Sequence, residues 1–361
     1  MEETIYSVIT GSGCYLPEKK VLNSDFSDHI FYNENGQKFE KTNEEIIEKF
    51  KLITDIEERR YVSGNLAVSD IAYFAGLEAI VSSKTDKETF DYIIVAHNFG
   101  DVRTDTKRSD FVPTIAARVK HKLRIENPDT IAYDLPFGCP GWLQAVIQAD
   151  YYIKSGDAKK ILVIGAETLS RVSDPHDRDS MLYSDGAGAV ILEASATGKA
   201  TGILCHKTRS DTFQHANLLR MGKSYNPTRG GDELFLKMNG RKLYEYALKT
   251  VPQLLKESIE KAGLKITDIK KVLIHQANAK MDEAILKRLF ELFDLKVIPE
   301  NLMPMTISWL GNSSVATLPT LYDLLVKDKI AAQTLYRGDV ILFASVGAGM
   351  NINALLYKMN E

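Results

Sequence analysis

Short continuous apolar runs alternate with longer amphipathic stretches along most of the chain. Runs such as Tyr92–Ala96 are typical of strands buried on both faces of a parallel sheet, and stretches such as 69–83 have the apolar spacing of a helix. Further strands are predicted at 7–13, 130–133, 160–165, 190–192, 272–274 and 340–344. Further helices are predicted at 43–51, 141–155, 243–262, 281–293 and 313–327. This alternation indicates an α/β protein.

The order of elements after about residue 200 repeats the order before it. Gly138 and Cys139 open a predicted helix that leads into a strand ending in small residues, and Gly311 and Asn312 open a later stretch with the same sequel. We therefore predict two related α/β halves, residues 1–197 and residues 198–361, whose equivalent helix N-termini face one cleft. A chain of 361 residues has room for a sizeable core of this kind.

Composition and charge argue against several classes of function. The chain has 44% hydrophobic and 26% charged residues, a globular balance, and its net charge of −3 gives no overall footprint for binding nucleic acid. Its start lacks the basic segment and the apolar run of a secretory signal, and no later apolar run reaches membrane-spanning length. We expect a cytoplasmic protein without nucleic-acid or membrane partners.

Cys139 is the candidate nucleophile among three widely spaced cysteines, which form no C-x-x-C pair and indicate neither a zinc site nor a disulfide framework. It follows a predicted strand and lies at the first turn of a predicted helix, with Pro140 suited to the first helical position. The helix dipole and the unpaired N–H groups there stabilise a thiolate and lower the pKa of a thiol. A free cysteine can also serve only as a small buried hydrophobic residue, and this is the role that we assign to Cys14 and Cys205.

Two further polar residues occupy comparable positions. His275 follows the predicted strand 272–274 in the motif H-Q-A-N, and the ends of strands are where binding residues collect in α/β folds. A lone histidine at a strand end is, however, more often structural. A near copy of the motif at His215 lacks the preceding strand. Asn312 opens a predicted helix in the motif G-N-S-S and is equally well explained as an N-cap. The motif G-A-G at 347–349 is either a tight turn or a source of N–H groups for an oxyanion.

These motifs together resemble those of the β-ketoacyl carrier-protein synthase III family of thiolase-fold condensing enzymes. The resemblance depends on their order: G-S-G-C-Y-L-P near the start, I-E-E-R-R at 56–60, the turn at Cys139, S-D-G-A-G-A at 184–189, and then H-Q-A-N, G-N-S-S and G-A-G. It implies a thiolase-like fold with five layers, α-β-α-β-α, and usually a homodimer.

The resemblance also implies roles for single residues. Cys139 is expected to accept the acyl group, and His275 and Asn312 are expected to complete a Cys-His-Asn triad. The backbone N–H groups of Cys139 and Ala348 are expected to form the oxyanion hole.

Two basic residues match positions that bind substrates in this family. Arg178 is expected to lie along the adenine of coenzyme A, and Lys280 is expected to face the acyl carrier protein. The chain lacks the tryptophan that stacks on adenine near Phe50, and Ile53 stands where familiar members have an arginine. The long segment 31–41 and the motif F-G-C-P-G-W at 137–142 resemble the branch that makes cyclohexanedione precursors of aryl polyene, dialkylresorcinol or flexirubin pigments.

The implied reaction is a Claisen condensation in fatty acid or polyketide-like biosynthesis. Cys139 would take an acyl group from a coenzyme A or carrier-protein thioester, and a malonyl-type carrier-protein thioester would supply the carbon nucleophile. His275 and Asn312 would stabilise the enolate oxygen in the transition state. No metal or redox cofactor is expected. One alternative is a non-catalytic thiolase-fold binding protein, against which the intact triad argues. The other is a thioesterase or simple acyltransferase, which needs the nucleophile but not the enolate-stabilising pair and is distinguished by its products.

Overall fold

The computed structural model describes residues 4–360. The strands, in chain order, are β1 Ile5–Tyr15, β2 Lys19–Leu22, β3 Glu58–Tyr61, β4 Tyr92–Ala96, β5 Asp101–Val102, β6 Ser109–Asp110, β7 Ile131–Leu135, β8 Lys160–Thr168, β9 Asp185–Ala196, β10 Gly202–Ser210, β11 Leu219–Gly222, β12 Phe235–Met238, β13 Ile269–Ile274, β14 Val340–Gly347 and β15 Asn351–Lys358. The α-helices are α1 Asn43–Thr54, α2 Val68–Ser83, α3 Ile115–Lys122, α4 Gly141–Ser155, α5 Thr212–His215, α6 Gly240–Lys261, α7 Ala279–Glu291, α8 Ile307–Leu310 and α9 Thr317–Val326.

Two mixed sheets form the centre of the described part of the chain. One has five strands in the order β1-β9-β8-β4-β7, and the other has four strands in the order β10-β15-β14-β13. In the first sheet β4 runs parallel to β7 and β8, while β9 runs antiparallel to β8 and β1. In the second, β13 and β14 are parallel and β15 is antiparallel to both of its neighbours. Parallel strands flanked by antiparallel ones therefore occur in both halves.

The helices lie in three layers around these sheets. Apolar residues of α2 and α3 pack on one face of the first sheet, and those of α6 and α7 pack on one face of the second. Helices α4 and α9 lie between the two sheets and share one apolar cluster with both. The predicted α-β-α-β-α arrangement is therefore confirmed.

The alternation of side chains along each strand explains the layering. On β8, Ile161 and Val163 face the central helices, whereas Leu162 and Ile164 face the outer helices. Because successive strand residues point to opposite faces, a strand covered on both faces must be apolar throughout. This is the continuous run that the sequence analysis interprets as a buried strand.

Helix α4 is buried on most of its surface because it lies between the sheets. Its one buried carboxylate, Asp150, accepts a hydrogen bond from Ser7 Oγ at 2.7 Å and lies 2.8 Å from Lys154 Nζ. A buried charge is tolerated when it is paired and hydrogen-bonded in this way. The central position of α4 is what brings its N-terminus to the junction of the two halves.

The predicted division into residues 1–197 and 198–361 stays a prediction. Strand β9 ends at Ala196 and β10 begins at Gly202, so the change of sheet falls at the predicted boundary. The two sheets nevertheless share the apolar cluster around α4 and α9. Each half thus buries part of its core against the other.

One predicted helix begins later than expected. The stretch predicted as a helix from residue 313 forms a short 3₁₀ helix, Ser314–Ala316, before α9 starts at Thr317. Ser314 has a φ of 53°, which lies in the left-handed region and interrupts a regular α-helix. The apolar spacing of this stretch is helical as predicted, but tertiary contacts set the backbone of its first turn.

The other predicted elements are observed with shifts of a few residues at their ends. Within residues 4–360, no helix combines the length and the apolar character needed to cross a membrane.

Candidate active site

Cys139 lies in the turn between β7 and α4. Gly138 has a φ of 66°, and its carbonyl accepts a hydrogen bond from Gly141 N at 3.0 Å. Pro140 is the N-cap of α4 and not, as predicted, its first helical residue. Cys139 therefore lies just before the helix. The thiol is half-buried and lines a large cleft. This position gives it the positive end of the helix dipole.

His275 follows β13 and is almost completely buried, with 2% of its surface exposed. Its backbone N–H donates to Ala344 O at 2.9 Å, which continues the pairing between β13 and β14 past the end of the strand. Its Nε2 lies 3.0 Å from Asn312 Oδ1. The strand end therefore fixes the backbone of this residue, and Asn312 fixes its ring.

Asn312 is held by the other half of the chain. Its N–H donates to Leu182 O at 2.9 Å, and its carbonyl accepts from Ser184 N at 2.8 Å, which makes an isolated bridge beside Tyr183. Its side-chain Oδ1 accepts from Ser314 N at 2.9 Å. Asn312 is thus not the N-cap of an α-helix, because α9 starts five residues later. These contacts fix it to the first half of the chain.

The orientation of the Asn312 amide follows from its neighbours. Because Ser314 N–H donates to Oδ1, the amide nitrogen must point the other way. In the described residues no acceptor is bonded to Nδ2, and Asn312 lines the cleft. Its two N–H groups are therefore available to a ligand.

The Cys139 thiol and the His275 imidazole form a hydrogen-bonded pair. Burial opposes ionisation of the thiol, but the charge of His275 and hydrogen bonds from His275, Ser314 and the backbone N–H of Cys139 lower its pKa below the usual value. Burial likewise lowers the pKa of His275, but the Cys139 thiolate and its hydrogen bond, with that of Asn312, raise it overall. Both directions favour a thiolate beside an imidazolium.

The turn 347–349 packs directly against the turn at Cys139. A Cβ atom added to Gly138 would lie 2.9 Å from Ala348 N, and one added to Gly347 would lie 2.6 Å from Cys139 N. Only glycine leaves room for two backbones at this distance. The N–H groups of Cys139 and Ala348 therefore come from adjoining turns at the floor of one cleft.

The cleft has a volume of about 1440 Å³ and receives all three members of the predicted triad together with Ala348. This volume exceeds the range of roughly 300–1,000 Å³ that is usual for small-molecule pockets. The cleft has room for an extended ligand whose reacting end reaches Cys139.

Arg178 lines the cleft, with about half of its side chain exposed. Its guanidinium carbon lies 5.3 Å from the ring centroid of Phe39, in the long segment 31–41. This segment is anchored to the loop before Arg178, because Tyr32 N donates to His176 O at 2.9 Å. Phe39 was not predicted to belong to the site. Its only signal in the sequence is that it is aromatic within a polar segment.

Lys280 is exposed in the first turn of α7. Its neighbours Asn278 and Met281 line the cleft, but Lys280 does not. Lys280 is therefore a surface residue whose neighbours on α7 line the cleft.

The residues assigned to structural roles lie away from this site. Among the described residues that line the cleft, Cys139 is the one cysteine. Burial raises the pKa of both Cys14 and Cys205, and Cys14 also faces Asp323. His215 packs on the ring of Tyr246, with 4.9 Å between the ring centroids.

A buried carboxylate beside the thiol was missed by the sequence analysis. Glu167 on β8 is fully buried, and burial raises its pKa to about 7. Its Oε2 accepts hydrogen bonds from Asn98 N at 3.0 Å and from Asn98 Nδ2 at 2.8 Å. The available signal was a charged residue at the end of an apolar run.

Comparison with known proteins identifies the family. Residues 133–212 match the family model of 3-oxoacyl-[acyl-carrier-protein (ACP)] synthase III, and residues 259–359 match the model of its C-terminal part. The β-ketoacyl-[acyl-carrier-protein] synthase III 1 of Vibrio cholerae is 33% identical, over 98% of this chain and 100% of that protein. The β-ketoacyl-[acyl-carrier-protein] synthase III of Xanthomonas campestris is 32% identical, over 99% of this chain and 100% of that protein.

A solved structure gives the same result at the level of the fold. The 3-oxoacyl-[acyl-carrier-protein] synthase III from Aquifex aeolicus has a TM-score of 0.78 and 28% identity, covering 98% of this chain and 99% of that one. The predicted thiolase-like fold and the predicted family are therefore both confirmed. The chain belongs to the 3-oxoacyl-[acyl-carrier-protein] synthase III family.

Proposed function

We propose that this chain is an acyltransferase that catalyses a Claisen condensation in fatty acid or polyketide-like biosynthesis. An acyl group held on Cys139 is joined to a malonyl-type thioester carried by acyl carrier protein. The observation that carries the proposal is the convergence of Cys139, His275 and Asn312, from three distant segments, on one cleft.

The first half-reaction loads the acyl group. The Cys139 thiolate attacks the thioester carbonyl, and the N–H groups of Cys139 and Ala348 stabilise the oxyanion of the tetrahedral intermediate. The carbon–sulfur bond to the carrier then breaks, and the His275 imidazolium gives its proton to the departing thiolate. The acyl group remains as a thioester on Cys139, and His275 becomes neutral.

The second half-reaction forms the carbon–carbon bond. Loss of carbon dioxide from a malonyl thioester leaves an enolate, whose oxygen accepts hydrogen bonds from His275 and from the free Nδ2 of Asn312. The enolate carbon attacks the acyl carbonyl, and the bond to Cys139 breaks. The product is a β-ketoacyl thioester, the Cys139 thiolate returns, and a proton taken up from water restores the His275 imidazolium. Thiolate and enolate make every bond, so the scheme needs no metal or redox cofactor.

Two basic residues are proposed to guide the carriers. Arg178 lines the cleft with about half of its side chain exposed and with Phe39 against its guanidinium, and it suits the adenine or phosphate groups of coenzyme A. Lys280 is exposed on α7 next to residues that line the cleft, and it suits an acidic carrier protein. We further propose that the enzyme acts in the cytoplasm as a homodimer.

Mass spectrometry of the protein and its products tests the proposal. After incubation with an acyl thioester, we expect the acyl group on the peptide that contains Cys139, and after addition of malonyl carrier protein we expect a β-keto product. Cys139→Ser should lose most of the loading, whereas Cys205→Ser, the matched control, should load normally. Free acid as the sole product would indicate a thioesterase, and an acyl group on Cys14 or Cys205 with Cys139 unmodified would end the assignment.

A further inference from the structure

Glu167 is a buried carboxylate that the condensation scheme does not use. It lies near the end of β8, is fully buried, and has no hydrogen-bond partner at Oε1 among the described residues. Its other oxygen, Oε2, accepts two hydrogen bonds from one residue, Asn98, through the backbone N–H and the amide nitrogen. A carboxylate buried at such a cost in solvation needs a reason to be there.

Asn98 connects this carboxylate to Ser314. Its Nδ2 lies 2.8 Å from Glu167 Oε2 and 3.4 Å from Ser314 Oγ. A hydroxyl group has one hydrogen to donate and lone pairs to accept. Because Asn98 donates into the Ser314 oxygen, the Ser314 hydrogen is left to point elsewhere. Ser314 and Cys139 line the same cleft, and hydrogen bonding from the Ser314 side chain lowers the pKa of the thiol.

Contacts of Ser314 and of the residue that follows it fix the backbone of this turn. Ser314 has a φ of 53°, uncommon for a residue other than glycine, and its N–H donates to Asn312 Oδ1 at 2.9 Å. The next residue, Val315, packs on β8, because a Cβ atom added to Gly165 would lie 2.3 Å from Val315 O. The same strand therefore holds the turn of Ser314 and carries Glu167 two residues further along.

We propose that Glu167 and Asn98 are positioning residues that hold the Ser314 hydroxyl as a hydrogen-bond donor to the Cys139 sulfur, in addition to His275. This relay rests on the proposed role of Cys139 as the nucleophile. In this arrangement Ser314 is the group that donates to the reacting atom, whereas Asn98 and Glu167 act through it.

Charge and hydrogen bonding act on the thiol in opposite directions. The titratable groups that face Glu167 are His97, from the loop after β4, and Cys139. Burial raises the pKa of Glu167, and His97 and the hydrogen bonds from Asn98 oppose the rise. An ionised Glu167 disfavours a thiolate at Cys139, while the relay favours it. An experiment must therefore separate the charge from the relay.

The pH dependence of Cys139 alkylation by iodoacetamide reports the apparent pKa of the thiol in the resting enzyme. The modified peptide is quantified by mass spectrometry, which distinguishes Cys139 from the other cysteines. Loss of a hydrogen bond to a charged group is expected to raise this pKa by about one unit in Ser314→Ala, and to slow alkylation about tenfold at pH values below it. Ser314→Gly should give the same shift while fitting the left-handed backbone, so it serves if the alanine variant folds poorly.

Ser313→Ala is the matched control. It removes a neighbouring buried hydroxyl whose partner is Thr317 Oγ1 at 3.3 Å, not the sulfur. Its alkylation profile should match the wild type. An unchanged profile in both Ser314 variants would overturn the proposal.

Two substitutions at Glu167 separate charge from relay. Glu167→Gln and Glu167→Leu both remove the charge, but only glutamine offers an oxygen to Asn98. The apparent pKa of Cys139 should therefore be higher in Glu167→Leu than in Glu167→Gln, and this difference should vanish when Ser314 is also replaced by alanine. A difference that persists without the Ser314 hydroxyl would mean that Glu167 does not act through the relay.

The test needs no thioester substrate. If the expected shifts occur and no β-keto product forms, the relay stands and the proposed condensation fails. If condensation occurs and the Ser314 variants keep the wild-type thiol pKa, the relay fails alone.

Discussion

The side-chain oxygen of Asn312 makes two contacts, and together they determine which group of the amide is free to bind a ligand. Oδ1 is occupied by Ser314 N–H and faces His275 Nε2, so Nδ2 is left for the cleft. A side chain that served only as a helix cap would have no need of a free donor there.

Asn312→Ala should slow condensation about a hundredfold or more, because an oxyanion donor is typically worth that much in rate. Acyl loading of Cys139 should change far less, since the first half-reaction does not use the enolate site. Single-turnover measurement of loading and of β-keto product formation separates the two effects. His275→Ala should also block condensation, but it should slow loading as well, since the imidazole supports ionisation of the thiol.

The clearest control is a different asparagine that also lines the cleft. Asn278→Ala removes the N-cap of α7, whose Oδ1 accepts from Met281 N at 3.1 Å, and should lower stability without a selective loss of condensation. Normal loading together with wild-type condensation in Asn312→Ala would remove Asn312 from the proposed triad.

Glu167 should make the stability of the protein depend on pH. Its pKa rises from 4.5 to about 7 in the folded state, chiefly because of burial. A raised pKa means that the folded state holds the proton more tightly, so its contribution to stability is present below pH 4.5 and is lost as pH rises through 7. The loss amounts to about 3 kcal/mol on the scale of 1.36 kcal/mol per unit.

Urea unfolding at pH 5 and pH 8 checks this expectation. Glu167→Gln should gain stability over the wild type at pH 8 and lose that advantage at pH 5. Parallel pH profiles for the two proteins would show that Glu167 does not carry the effect.

At the scale of elements, two glycines with left-handed backbones differ in what surrounds them. Gly138 has a φ of 66° and contacts the turn of Ala348, whereas Gly156 has a φ of 83° at the C-terminus of α4 and has no atom within 4 Å of an added Cβ. The backbone cost of replacing either by alanine is about 1–2 kcal/mol. Only Gly138 also has to keep two turns in contact.

Gly138→Ala should therefore lower stability and, in addition, slow acyl loading by about a hundredfold, because it separates the two N–H groups of the proposed oxyanion hole. Gly156→Ala should lower stability by a similar backbone cost and load at the wild-type rate. Thermal unfolding and the rate of Cys139 acylation measure the two effects. Equal loading rates for the two variants would argue against an oxyanion hole at this contact.

At the scale of the whole molecule, β7 is one of the two edge strands of the five-stranded sheet. Its first residue, Ile131, has half of its surface exposed. An exposed edge strand offers unpaired backbone groups to another chain. The chain continues from β7 directly to Cys139. A second copy paired along β7 would therefore also stabilise the backbone next to the site.

Light scattering at micromolar concentration should give twice the chain mass of 40.4 kDa. Ile131→Lys should shift the mass towards that of a single chain, because a charge on an edge strand opposes pairing. Val297→Lys is the matched control, since Val297 is apolar and 80% exposed outside the sheets, and it should leave the dimer intact. A wild-type protein with the mass of one chain would contradict the homodimer.

The sequence by itself determined most of the elements and the members of the site. Continuous apolar runs and helical spacing are local properties, and a sandwiched strand such as β8 must be apolar on both faces. The order of the motifs resembled that of a known family, and this resemblance indicated Cys139, His275 and Asn312 as a candidate triad. The family and the thiolase-like fold followed from the same order.

Only the tertiary structure decided which polar groups meet. Glu167, Asn98 and Ser314 are brought together across as many as 216 positions of sequence, and no local pattern marks such a contact. The left-handed backbone of Ser314 and the delayed start of α9 depend on the fit of its turn against β8. Local spacing specifies which face of an element is apolar. The hydrogen-bond partners of a buried polar group are set only when the two halves pack, because until then each group can bond to water instead.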